Sequence, residues 1–156
     1  MKPVDVAITG REKPVGEETA YGALVQFYRA FNTRDILLMA ENWEPSENPI
    51  MNNPLGGVCR GWPAIRAVYE RVFGGPAVVQ VEFYDYTIHE TPELFYSVGR
   101  ERGRAHVAGE DIPLAIRTSR IFRRSAGRWQ QVHHHGSIDD AGLLARYQAA
   151  VRGERP

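Results

Sequence analysis

The spacing of apolar positions divides the chain into a helical first half and a strand-rich second half. From about residue 17 the apolar positions recur at helical intervals, with Ala20, Leu24, Phe27, Tyr28 and Phe31 on one stripe. Asn32-Thr33-Arg34-Asp35 interrupts that stripe, and Asp35 is placed to cap a second short helix, Ile36 to Asn42, that is expected to bury Leu37, Leu38 and Met39. Trp43-Glu44-Pro45 ends it and leads to a short strand near residues 50–53, after which Pro54-Leu55-Gly56-Gly57 turns the chain. Gly61 precedes a third helix with Pro63 in its first turn. Ile65, Val68, Tyr69, Val72 and Phe73 form its apolar stripe, and Gly74-Gly75-Pro76 stops it.

Past Val78 the period becomes two. Strands are expected over about 78–89, 94–107, 112–123 and 128–137, joined by turns at Thr91-Pro92-Glu93, Ala108-Gly109-Glu110 and Ser125-Ala126-Gly127. Alternation puts Leu114, Ile116, Thr118, Arg120 and Phe122 on one face of the third strand. In the fourth it puts Val132 with His134, and His133 with His135 on the opposite face. One face of this hairpin is then apolar with isolated polar heads, the composition of a ligand pocket, and Arg120 and His134 are expected to look into it. Asp139 and Asp140 offer caps for a last helix with Leu143, Leu144, Tyr147 and Val151 on one side. The expected organisation is a loose arm (1–16), an α+β domain with helices on one face of a curved sheet (17–138), and a C-terminal helix and tail (139–156).

Composition narrows the function classes. Lys+Arg and Asp+Glu are 19 each over 156 residues, so no net field favours nucleic acid or an acidic membrane. Cys59 is the only cysteine, which excludes an internal disulfide and fits a reducing compartment. No apolar run reaches the roughly 18 residues of a membrane span, and the N-terminus lacks a signal-peptide pattern. The sequence reads as a soluble cytoplasmic domain.

Two stretches, MNNPLGGVCRGWPAIRAVYERVF and RTSRIFRRSAGRWQQVHHHGS, together with the order of elements, resemble the NTF2-like superfamily. That group includes SnoaL-like polyketide cyclases, ketosteroid isomerases, limonene epoxide hydrolase and the association domain of calcium/calmodulin-dependent protein kinase. The likeness spans roughly residues 17–138, and the last stretch is most similar to the kinase association domain and small SnoaL-like proteins. It implies a conical (cystatin-like) α+β fold, helices on the concave face of a mostly antiparallel sheet, a deep pocket and a homodimer. It implies no single reaction.

The departures from the family matter most. Where ketosteroid isomerases carry a catalytic aspartate, this chain has Asn53, and an amide is no general base. The oxyanion-donating tyrosine of those enzymes falls at Phe27, with Tyr28 one residue away. The two pocket arginines of the kinase association domain fall on Arg100 and Arg120, and the inward aspartate of the cyclases falls on His134. The epoxide hydrolase pair is not reproduced, because its aspartate lands on Arg102.

Each candidate has a plainer alternative. Arg100 and Arg120 can clamp a carboxylate or enolate, or can face solvent and pair with Glu82 or Glu101 across the sheet. His134 can move a proton or only shape the cavity. His133 and His135 could hold a metal only if His89 or His106 completed the set, and no spacing requires that, so neither metal nor cofactor is assigned. Tyr28, Trp43, Tyr69 and Tyr96 can line a pocket or be ordinary core. Two functions follow. One is a cofactor-independent isomerase, cyclase or lyase-like enzyme on a small hydrophobic carbonyl or acid, using His134, Arg100, Arg120 and Asn53. The other is a non-catalytic ligand-binding or assembly domain. Either way the pocket is expected to be positive and to prefer anionic or carbonyl ligands. A homodimer is expected through the sheet's outer face at Ala115, Ser119, Ile121, His133 and His135.

Overall fold

A computed structural model describes residues 2–13, 16 and 18–154. Helix α1 (Ala20–Thr33) begins where the Thr19 hydroxyl accepts from the Gly22 amide, and it ends at Arg34 in the left-handed region. Asp35 then caps α2 (Ile36–Asn42) by accepting from the amides of Leu37 and Leu38, the role its position predicted. Leu37, expected inside, is exposed, and Met39 and Asn42 are the residues this short helix buries. Strands β1 (Ile50–Asn52) and β2 (Cys59–Arg60) form a small hairpin before α3 (Trp62–Gly74), which has Pro63 in its first turn.

Four long strands follow: β3 (Val78–Glu90), β4 (Leu94–Val107), β5 (Glu110–Ser125) and β6 (Arg128–Ser137). Their two tightest turns place Ala108-Gly109 and Ala126-Gly127 at positive φ, which suits the twist of two-residue hairpins. The sheet order is β2-β1-β6-β5-β4-β3, antiparallel except where β1 runs parallel to β6. Helix α4 (Ala141–Arg152), capped by Asp140, closes the chain.

Two irregularities decide which side chains face inward. In β3 the register shifts between Tyr84 and Thr87, with Asp85 at φ 48°. In β6 it shifts opposite Ile121 and Phe122, leaving Val132 as the extra residue. Trp129 and Gln131 are buried before that bulge, and His134 and Gly136 after it. Val132 therefore does not share a face with His134 as strict alternation had it. The bulge switches the parity.

Residues 1–16, expected to be loose, are in their described part docked. Val4 bridges to Tyr86, Ile8 exchanges both backbone hydrogen bonds with Phe83, and Ile8 is fully buried. A Cβ on Gly10 would lie 2.3 Å from the Arg29 amide nitrogen, so only glycine allows this approach to α1.

Candidate functional site

The inner faces of β4, β5 and β6 converge on Arg120. Its neighbours on one side are aromatic core: Phe95 stacks on Phe122 at 4.5 Å, with Trp129 edge-on at 5.0 Å. On the other side a cavity opens, with Phe27 and Phe31 of α1, Val68, Tyr69 and Val72 of α3, and Ile116 of β5 in its apolar wall. Polar groups reach it from Asn53, Glu101, Arg120, His134 and Tyr147.

Arg120 is 1% exposed, and each of its three guanidinium nitrogens has an acceptor. It donates to Glu101 Oε1 at 2.9 Å, to Gln131 Oε1 at 3.0 Å and, more weakly, to the Tyr28 hydroxyl at 3.4 Å. Its face lies 3.5 Å from the centre of the Phe27 ring. Tyr28 in turn donates to Glu101 Oε1 at 2.6 Å. Burial opposes the charge on Arg120, but the groups around it, the Glu101 carboxylate among them, outweigh it and hold the guanidinium above its usual value. Burial also pushes the Tyr28 phenol well up, so it stays a neutral donor.

Glu101 is the residue that the sequence reading paired with an arginine only as an alternative and never placed in the cavity. The signal was present in the parity of β4, since Phe95, Ser97, Glu101 and Ala105 are all odd-numbered and all buried. Its cross-strand partner is Ile116, already assigned to the inner face. Arg100, by the same parity, points outward. Its side chain is 58% exposed and pairs with Asp85 at 3.1 Å. The two arginines are therefore on opposite faces, and the expected positive interior is corrected to a neutral one, because a carboxylate answers the one guanidinium buried among the described residues.

His134 lines the cavity and is buried. Its Nε2 lies 3.1 Å from the Thr118 hydroxyl, which itself donates to the His135 carbonyl at 3.0 Å. Thr118 has thus spent its proton, so Nε2 carries the hydrogen and Nδ1 the lone pair. Nδ1 is buried without a partner. Burial first, then the charge of Arg120, hold the imidazole well below its ordinary pKa and therefore neutral. The Tyr69 hydroxyl, also buried, completes no hydrogen bond of normal geometry, although Arg120 and Trp43 stand near enough to act on it. Burial raises that phenol to about 12.

The other candidates divide. Phe27 and Asn53 line the cavity, with the Asn53 carbonyl accepting from the Leu55 amide and its amide nitrogen left as the donor. Tyr28 sits behind Arg120 rather than at the cavity surface. Trp43 is fully buried behind Tyr69, stacked on Trp62, and is not in the lining. Tyr96 is 41% exposed on the outer face, against His89, because its parity is that of Arg100. Among the described residues, no three His, Cys, Asp or Glu side chains cluster as a metal group.

This architecture belongs to a known class. Residues 22–141 match the SnoaL-like domain, and the chain belongs to that family. A structure from Thiobacillus denitrificans, described as a calcium/calmodulin-dependent protein kinase type II association domain, is similar at 25% identity. The match covers 82% of this chain and 100% of that one, with a TM-score of 0.65. A Streptomyces avermitilis protein described as a dehydratase of the NTF2-like family matches at 18% identity over 76% and 92%, TM-score 0.66. A ketosteroid isomerase-like protein from Erwinia carotovora atroseptica matches at 21% over 76% and 92%, TM-score 0.63. The fold is thus NTF2-like, with the cystatin-like sheet by which other similar structures are described. No curated protein matches the chain. None of its described helices is long and apolar enough to cross a membrane.

Proposed function

We propose that the cavity binds a compact, mostly apolar and uncharged molecule bearing a carbonyl or hydroxyl group, and that His134 exchanges a proton with it. The observation that carries this reading is a buried imidazole nitrogen without a hydrogen-bond partner, on a residue that lines an apolar cavity. Buried acceptors without partners are rare, and a ligand's O–H or acidic C–H supplies one. Tyr69 and Asn53 offer donors for an oxygen on the same ligand. Of the two ligand classes first expected, carbonyl and acid, the acid is disfavoured, because Glu101 already occupies the guanidinium that would have received it. The reaction class is proton transfer next to a carbonyl, without a cofactor. Steroid isomerisation is not expected, since Asn53 and Phe27 replace the base and the phenol of that reaction.

The test is α-proton exchange of cyclohexanone and 1-indanone in D2O, followed by NMR. The protein should accelerate exchange over buffer, and His134→Leu should lose about 100-fold or more of that rate, the usual share of a positioned acid or base. Binding without exchange would establish the second reading, a non-catalytic ligand-binding domain. One observation favours that reading: burial and Arg120 make the imidazole a weak proton acceptor.

A further inference from the structure

The SnoaL-like match ends at residue 141, where α4 begins, yet α4 contributes Tyr147 to the cavity wall. Resting on the reading above, we infer that α4 is a lid and that Tyr147 is the residue that sets the size of ligand the cavity accepts. The free volume of the cavity is only about 40 Å³. Ligand pockets usually offer about 300–1,000 Å³, so a ligand larger than a few waters needs a wall to move. Most of the wall cannot. Phe27 belongs to the central helix, Ile116 and His134 to the middle of the sheet, and Arg120 to a buried hydrogen-bonded network.

Helix α4 has few polar ties to the rest of the chain, and its Leu143 and Leu144 are only partly buried. Twelve residues do not make a stable helix in water, so its order depends on packing. Tyr147, Ala150 and Val151 are its buried side chains, and two of these are small or mid-sized. Its polar attachments gather at one place: Gln148 donates to the Pro54 carbonyl at 2.8 Å, and Arg152 reaches the Leu55 carbonyl at 3.4 Å. The Arg117–Asp139 ion pair just before it is well exposed and contributes little. Pro54 is itself a lining residue, so the latch sits at the rim of the cavity. When the latch opens, Tyr147 leaves with the helix and the space between α3, the Pro54 turn and Ile116 becomes accessible. When it closes, the phenol ring limits how far a ligand can extend.

The experiment has a part that needs no ligand. In native-state hydrogen exchange of the full chain, amides 144–151 should open together, about 100-fold faster than the amides of β5 and β6. Gln148→Ala, which touches only the latch, should speed α4 alone by about tenfold. Exchange of α4 only with the sheet, or no response to Gln148→Ala, overturns the lid. The second part measures affinity for neutral ketones of rising size: cyclohexanone, 1-indanone, 1-tetralone and 9-fluorenone. Tyr147→Ala should gain about tenfold or more for the larger members, and Tyr147→Phe should keep the original limit. An unchanged limit in Tyr147→Ala overturns the role of Tyr147. If neither protein binds any ketone, the ligand reading falls, and the exchange result still decides the lid.

Discussion

The chemistry of the site is set by how few of its charged groups remain uncommitted. Arg120 and Glu101 are each nearly unexposed and bonded to one another, so removing one strands the other. Arg120→Ala should therefore destabilise by about 3–5 kcal/mol in urea titration, the cost of a buried charge without a partner. The double variant Arg120→Met, Glu101→Leu should recover at least half of the loss, since no ion is then left alone. Recovery of nothing would mean that shape, not charge, governs the site. His134 gives a second test. In the unfolded chain its pKa is about 6.5, and in the folded chain it is lower. Below pH 6.5 the unfolded state thus binds a proton that the native state excludes, and stability falls with falling pH until the folded pKa is reached. The contribution is at most about 1.4 kcal/mol per pH unit. His134→Gln should flatten that slope between pH 6.5 and 5, and a parallel slope in both proteins would show that the imidazole is not held neutral. The identities of Arg120 and His134 were legible from alternation along β5 and from the family resemblance. The pairing of Arg120 was not, because it depends on Glu101 and Tyr28, which lie 19 and 73 residues from their partners.

At the scale of elements, what was legible was what local chemistry dictates. The caps at Asp35 and Asp140, Pro63 in the first turn of α3 and the glycine turn before β6 all act within a few residues. The bulges were not legible, since nothing in Gln-Gln-Val-His requires an extra residue and only the pairing with β5 fixes its place. Bulges matter here because they bend the sheet around α1 and re-aim side chains. The bend also brings β4 against β3 so closely that a Cβ on Gly99 would sit 2.6 Å from Tyr86 Cβ and 2.8 Å from Phe83 Cε2. Gly99→Ala should cost about 1–3 kcal/mol in denaturant unfolding, as overpacking does, and a neutral result would mean that β3 yields. The docked N-terminal arm was missed for a related reason. Val4 and Ile8 are isolated apolar positions with no period, and their docking is decided by the edge of β3 to which they bond.

At the scale of the whole molecule, the outer face of the sheet remains to be accounted for. Its central rows are apolar or small: Tyr96 faces Ile121, which faces His133, which faces Ile50, and alongside run Val98, Ser119 and His135. Tyr96, Val98 and Ile50 are all exposed there, while the charged pairs Arg100–Asp85 and Arg117–Asp139 lie off these rows. An apolar centre with a polar rim is the anatomy of a protein interface, and in a two-fold pair the same patch of each copy meets itself. We propose that two copies of this chain pack through that face, the arrangement first expected from Ala115, Ser119, Ile121, His133 and His135. All five do point outward. Light scattering at micromolar concentration should give twice the 17.6 kDa chain mass. Val98→Asp should shift it to one chain, because a charge at the centre of each copy would be buried against its symmetry mate without a counter-ion. The fold should not suffer, since Val98 is 49% exposed in the single chain. A monomer mass for the unaltered protein removes the proposal. A dimer that survives Val98→Asp moves the interface to another face, and the exposed rows of Tyr96 and Val98 then need a different partner.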